Sequence, residues 1–251
     1  MTVALRVVSY NVHGLRDDRA ALVEVVRALD PDLLILQEAP RRLRWRTRTA
    51  HLANQLGLVY LAGGAPALGN AILASLRVRA RDDWALRFPL TPGRHLRGAA
   101  FARCQVGGVT FVVVGAHLAT DPAERPDQAR RLGEALAGLD APVILGADLN
   151  EPPGGPAWNR LTGDAGPAPT NEPGLPPGDG SGLAPGDGRG LVDPAAGDGG
   201  SSFPAGAPVH RLDAILVDPR ISVTGYRVGD SPAARRASDH LPIVADLAVP
   251  G

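Results

Sequence analysis

Asn11, Glu38, His117, Asp148, Asn150, Asp213, Asp239 and His240 stand within or at the ends of strongly apolar runs. Carboxylates, carboxamides and imidazoles collected in this way suit a hard divalent cation. Mg²⁺ takes one or two carboxylates and completes its shell with waters and phosphate oxygens, and Mn²⁺ is the alternative. Zinc fits poorly, because the chain has one cysteine, no HExxH and no pair of histidines at short ligand spacing.

Two of these positions carry more information than the others. Asp148 and Asn150 flank Leu149, so in an extended segment both side chains share a face. Asp213 lies inside Arg211-Leu212-Asp213-Ala214-Ile215-Leu216-Val217, a run that should be buried. An unpaired buried carboxylate costs several kcal/mol, roughly, so a partner is implied. His240 is one candidate, with Asp213 fixing its tautomer, and an ion pair with Arg211 is the other. Singly, Asn11 before Gly14 also reads as a turn residue, Glu38 as a solvated strand end and His117 as a rim histidine.

Strand ends are what can bring such distant residues together. Residues 5–10 form a short apolar run that opens into Asn11-Val12-His13-Gly14, and 33–36 form a continuous one that ends at Gln37-Glu38. Between them Leu22, Val25, Val26 and Leu29 have helical spacing after Asp17-Asp18, and Pro31 stops the helix. A helical stretch runs to Gly57, and 69–73 read as the next strand. Residues 99–106 and 109–116 form a hairpin about Gly107-Gly108, a connection suited to positive φ. A helix over 127–139 precedes a strand from Pro142, and a short helix is expected near Trp158. Strands are then expected over 212–217, 221–228 and 242–249, the last following Ser238-Asp239-His240. About nine strands against about four helices, with one hairpin, suggest an α/β fold of two packed sheets with helices outside. Residues 163–190 are rich in Gly, Pro and Asp and read as one long loop in a single domain spanning 1–251.

Composition removes several mechanisms. All 26 formal positive charges are arginines, so Schiff-base chemistry and a P-loop or kinase lysine are excluded. The 26 acidic residues bring the net charge to zero, so any attraction for phosphate must be local. Cys104 cannot form an internal disulfide and reads as a core residue. Without an apolar leader or an 18-residue apolar stretch, a cytoplasmic and monomeric protein is expected. With 31 Gly, 24 Pro and no Lys, the composition resembles GC-rich coding bias.

The order of these pieces resembles the endonuclease/exonuclease/phosphatase superfamily over nearly the whole chain. Ser9-Tyr10-Asn11-Val12-His13-Gly14 resembles its first motif, Leu36-Gln37-Glu38 its metal glutamate, Gly69-Asn70-Ala71-Ile72-Leu73 its next strand and Ala116-His117-Leu118 its histidine motif. Gly146-Ala147-Asp148-Leu149-Asn150 resembles the GDxN element. Phe203-Pro204 with Arg211-Leu212-Asp213, and Ser238-Asp239-His240-Leu241-Pro242, resemble the last two motifs. The resemblance implies a four-layer sandwich of two mixed β-sheets flanked by helices. It implies Mg²⁺ held chiefly by Glu38, with Asn11 and Asp239 close by. Asp148 would orient or deprotonate water, Asn150 would hold phosphate beside His117 and Asn70, and the Asp213–His240 pair would stabilise developing charge. The implied activity is phosphoester hydrolysis by in-line attack of an activated water.

The substrate is less legible. His117 resembles the deoxyribonuclease, sphingomyelinase and phosphatase branches, whereas apurinic endonucleases usually carry tyrosine there, and only 4% of residues are aromatic. Arg41, Arg42, Arg44, Arg46 and Arg48 follow the glutamate closely. Arg44 and Arg48 in particular are candidates to grip a DNA or RNA backbone, and a solvated arginine face enlarged by coding bias is the competing reading. A nucleic-acid phosphodiesterase is favoured. Its alternatives are an enzyme of phospholipids or inositol phosphates, and a non-catalytic binding module with the same fold.

Overall fold

In a computed structural model the residues described are 1–163, 190–197 and 199–251. The loop expected over 163–190 lies outside them except for its two end glycines. The chain forms β1 (Thr2–Asn11), α1 (Arg19–Leu29), β2 (Leu33–Gln37), α2 (Trp45–Leu56), β3 (Val59–Gly63), β4 (Ala71–Ala74) and β5 (Arg79–Arg87). It continues through β6 (Gly98–Val106), β7 (Val109–His117), α3 (Arg125–Ala137), β8 (Val143–Asp148) and α4 (Pro156–Thr162). After the undescribed stretch come β9 (Asp213–Val217), β10 (Ser222–Val228), α5 (Ala234–Ala237) and β11 (Ile243–Pro250).

Two mixed sheets result, in the strand orders β10-β11-β1-β2-β4-β3 and β5-β6-β7-β8-β9. β1 runs parallel to β2 and β7 parallel to β8, while the neighbouring pairs are antiparallel. An apolar layer of Leu5, Val7, Ile35, Ile72, Phe111, Val113, Ile144 and Ile215 lies between the sheets. The outer face of the first sheet is covered by α1, α2 and α5, and that of the second by α3 and α4. This is the four-layer arrangement expected from the sequence. Cys104 is a buried member of the inter-sheet core.

The sheets approach closely where glycines allow it. A Cβ on Gly146 would stand 2.7 Å from Ile35 Cδ1, and one on Gly115 would stand 2.8 Å from Ile35 Cγ2. Gln37 bridges the same gap, donating to Ser9 Oγ at 3.2 Å and to the Gly146 carbonyl at 3.4 Å. Asp18 caps α1 by accepting from the amides of Ala20 and Ala21, as the acidic start suggested. Gly107 and Gly108 both have positive φ in the hairpin between β6 and β7.

Two strands lack a signal in the sequence, β3 and β5, and both are sheet edges. β5, RARDDWALR, is largely exposed along its length. Its charges guard an edge rather than alternate with core residues, so no period-2 pattern survives. Leu191 N donates to Leu161 O at 2.9 Å, and a Cβ on Gly190 would stand 2.2 Å from Thr162 O. Residues 163 and 190 therefore lie side by side.

Candidate active site

Register does most of the assembly. Gly98 on β6 is opposite His117 on β7, His117 opposite Asp148 on β8, and Asp148 opposite Asp213 on β9. Cross-strand neighbours point to the same side of a sheet, so His117, Asp148 and Asp213 form one polar row at the end of an apolar face. In the other sheet Asn11 on β1 is opposite Gln37, the residue before Glu38. Because β11 is antiparallel to β1, its start, preceded by Asp239 and His240, lies beside the end of β1. Asn11 Nδ2 closes the gap between the sheets, donating to Asp148 Oδ2 at 2.9 Å.

The floor of the site is tightly connected. His240 Nδ1 lies 2.8 Å from Asp213 Oδ2, which also accepts from Ser202 Oγ at 2.6 Å. This settles the partner of Asp213. Arg211 turns away, binding Asp193 at 2.6 Å with its guanidinium 4.8 Å from the centre of the Trp158 ring. His240 Nε2 then faces Asp148 Oδ2 at 3.9 Å, and the Phe203 ring lies 4.8 Å from the imidazole. Burial alone would push the His240 pKa down, but the Asp213 carboxylate, its hydrogen bond and the nearby Asp148 raise it to about 9. Burial raises Asp148 above the usual carboxylate range, and the neighbouring Asp213 charge adds to this.

His117 differs in charge. Arg97 Nη1 lies 3.0 Å from its Nδ1, and a guanidinium can only donate. Nδ1 is therefore the acceptor, and the ring proton sits on Nε2, 3.3 Å from Asp148 Oδ2. Asn150 Nδ2, also near that nitrogen, donates to Leu118 O at 3.0 Å. Burial, then the Arg97 charge, hold the His117 pKa well below its ordinary value, so the ring is neutral. The site thus pairs a cationic imidazole with a neutral one on either side of a single carboxylate.

Asn150 adopts a left-handed φ of 53° and donates its amide to Asp148 Oδ1 at 3.0 Å. Behind it, Glu151 accepts from Arg125 Nε at 3.0 Å and from Trp158 N at 2.8 Å, tying the turn to α3 and α4. Asn70 is buried and donates to the carbonyls of Ala67 and Gly98, leaving its Oδ1 without a partner among the described residues. Gly98 is the residue opposite His117, so Asn70 joins the same end of the fold.

The mouth of the site is less committed. Glu38, with a φ of 55° just after β2, is half-buried. No hydrogen bond or ion pair is made by its carboxylate among the described residues. The Asp239 side chain is 40% exposed and has only weak contacts, to Ser238 Oγ at 3.4 Å and to His13 Nε2 at 3.8 Å. With Asn11 Oδ1, already accepting from His13 N at 3.0 Å, these supply oxygen donors at the ends of adjacent strands, the chemistry a hard cation takes. Asp148, Asp213 and His240 also approach one another within 4.8 Å. Within that group Asp148 Oδ2 accepts from Asn11 and Asp213 Oδ2 meets Ser202 and His240, while Asp213 Oδ1 has no hydrogen-bond partner among the described residues.

Arg44 and Arg48 are exposed at the start of α2, and neither is bonded to the buried row. Arg41 is the member of the arginine run that turns inward, donating to Leu68 O at 3.0 Å and depressing the His117 pKa. Sequence reasoning missed Arg97 and Ser202, and gave Ser238 no role beyond its place in a motif. Arg97 follows a Pro/Gly-rich stretch with no periodicity, and Ser202 lies in a run of small residues. Ser238 belongs to the Ser-Asp-His element, and its hydroxyl donates to Asn11 O at 2.7 Å.

Residues 8–240 match the Endonuclease/Exonuclease/phosphatase family. No curated protein matches the sequence. Among solved structures, an endonuclease/exonuclease/phosphatase family protein from Bacteroides thetaiotaomicron is similar over 100% of this chain and 96% of its own, with a TM-score of 0.75 and 17% identity. A mannosyl-6-phosphatase from the same organism covers 97% of this chain and 99% of its own, with a TM-score of 0.72 and 17% identity. D. rerio TDP2 complexed with single-strand DNA product covers 97% and 98%, with a TM-score of 0.70 and 18% identity. At these identities the structures show a shared fold. The family match, which spans most of the sequence and carries the motifs that meet in the buried row, shows that the chain belongs to the Endonuclease/Exonuclease/phosphatase family of metal-dependent phosphoester hydrolases.

Proposed function

We propose that the protein is a Mg²⁺-dependent phosphodiesterase acting on nucleic acid. The observation that carries this reading is the buried row in which Asp148 lies between a neutral His117 and a cationic His240. Glu38, Asp239 and the Asn11 carboxamide are the residues that would hold the ion. The ion, when bound, would neutralise phosphate charge and lower the pKa of water. Asp148 is raised above the usual carboxylate range by burial, which makes it a better base for the proton of an attacking water. His240 keeps its proton through neutral pH and, oriented by Asp213, directs Nε2–H toward developing negative charge. His117, with Nδ1 occupied by Arg97, offers a neutral Nε2–H donor to a phosphate oxygen with the Asn150 carboxamide beside it, while Asn70, whose N–H groups bind the Ala67 and Gly98 carbonyls, holds the strand end opposite His117.

A diester is favoured because the exposed arginines at 42, 44 and 48, close after Glu38 in the chain, can follow a continuous phosphate backbone beyond the one being cleaved. Likeness to a phosphatase and to a DNA-bound protein of the same fold leaves both chemistries within reach of the family. The test is hydrolysis of single- and double-stranded DNA, RNA, sphingomyelin, inositol phosphates and a sugar phosphate, each with Mg²⁺ and with chelator. Mg²⁺-dependent cleavage of DNA or RNA above the other substrates is expected. Preferential release of phosphate from a monoester would overturn the diesterase reading.

A further inference from the structure

A recess of about 390 Å³ opens between α2 and the edge strands β3 and β5, and nothing in the catalytic chemistry above uses it. Three of the chain's few aromatic residues, Trp45, Tyr60 and Trp84, line it, together with Arg46, Thr49 and Asp83. One face of Trp84 is occupied by Phe101, whose ring is stacked on it at 5.2 Å. Trp45 and Tyr60 stand tilted at 58° with centroids 6.3 Å apart, and the Arg46 guanidinium lies 4.5 Å over the Trp45 ring. Thr49 is buried, and its hydroxyl has no hydrogen-bond partner among the described residues. Arg46 forms no ion pair among the described residues. The space between these rings is large enough to admit a planar ring.

The recess adjoins the candidate site. Gly63, in its lining, is opposite Ala71 in the sheet. A Cβ on Gly63 would stand 2.1 Å from the Asn70 carbonyl, and Gly64 N donates to that carbonyl at 2.7 Å. Asn70 in turn holds Gly98, the residue opposite His117. We propose that this aromatic recess receives an unstacked nucleobase of the substrate strand, next to the phosphate held at the buried row. A base presents two π-faces, which three rings and a guanidinium can serve. A sugar presents hydroxyls on every side, and the apolar walls would leave most of them unbonded.

This inference rests on the nucleic-acid reading, and two measurements keep the fates of the two apart. First, adenosine, which carries no phosphate, is titrated in chelator against the tryptophan fluorescence of the intact protein. Trp45 and Trp84 line the recess, so saturable quenching is expected, weakened at least severalfold in Arg46→Ala and in Tyr60→Ala. Absence of quenching, or equal quenching in both variants, overturns the proposal, as does stronger quenching by mannose than by adenosine. Second, kcat/KM with Mg²⁺ is compared for thymidine 5′-p-nitrophenyl phosphate and methyl p-nitrophenyl phosphate. A preference of about tenfold for the nucleoside ester is expected from one stacked base, and it should shrink in Tyr60→Ala, which removes one of the rings. Equal turnover of both esters overturns the recess while the diesterase reading stands. Saturable adenosine binding with neither ester hydrolysed overturns the diesterase reading while the recess stands.

Discussion

The floor and the mouth of the site are built from the same residue types but are held in opposite ways. On the floor, the side chains of Asp148 and Asp213 are 1% exposed, and each makes at least two hydrogen bonds. At the mouth, Asp239 is 40% exposed and Glu38 has no partner among the described residues. A buried carboxylate held in place by donors is a fixed electrostatic element, whereas an exposed one with few contacts is ready for an ion. The first is preorganised by folding and the second is completed only by what binds there.

This contrast is most easily broken from the floor. Asp148→Asn or His240→Ala should lower metal-dependent diester hydrolysis by about 10³-fold, within the range for a lost general base or acid. Steady-state assays on the folded variants check this, and undiminished turnover in either would remove the catalytic role of the row. At the mouth, Glu38→Gln should act on the ion instead. The Mg²⁺ concentration for half-maximal rate should rise by at least the roughly 10- to 100-fold that outer-shell changes cost, with a smaller change in rate at saturating metal. An Asp148-like loss at saturating Mg²⁺ would mean that the two regions are not separable.

Arg97 tests the floor from outside. Arg97→Ala frees His117 Nδ1 to take the proton, so activity should fall about tenfold through misorientation. In ¹⁵N-labelled protein, the Nδ1 resonance of His117 should move from the unprotonated to the protonated range. The pH profile gives a subtler reading. His240 is charged below a pKa of about 9 and neutral above it, so activity should decline as pH rises through about 9. On the acid side, Asp148 must be ionised to act as base. Its raised pKa should place the acid limb at a higher pH than an ordinary carboxylate gives. The profile belongs to the coupled group rather than to either residue alone. The smallest effect is expected for Arg44→Ala with Arg48→Ala. Turnover of a short diester should change by no more than about twofold, while the salt dependence of DNA binding should flatten.

Much of the floor was legible because polar residues interrupt apolar strands, and burial makes such interruptions costly. Asp213 within Leu212–Val217 required a partner on that ground alone, and His240 is that partner. Arg97 left no comparable mark, since it acts from a loop whose composition looks like any other turn-rich surface. The edge strands β3 and β5 were illegible for a related reason: an edge is shaped by solvent on one side and does not need a full apolar pattern. The arginine run was visible, but sequence could not separate Arg41, which turns inward, from Arg44 and Arg48, which remain in solvent.

The row from Gly98 through His117 and Asp148 to Asp213 has a consequence for folding quality. A strand that slipped by one residue would turn every side chain to the other face. β9 slipped in this way would send Asp213 toward the helices and leave His240 without its carboxylate. Hydrolysis is therefore an assay of strand register, and a refolded preparation with native-like secondary structure but no turnover would be one in which the rungs of the second sheet are misaligned.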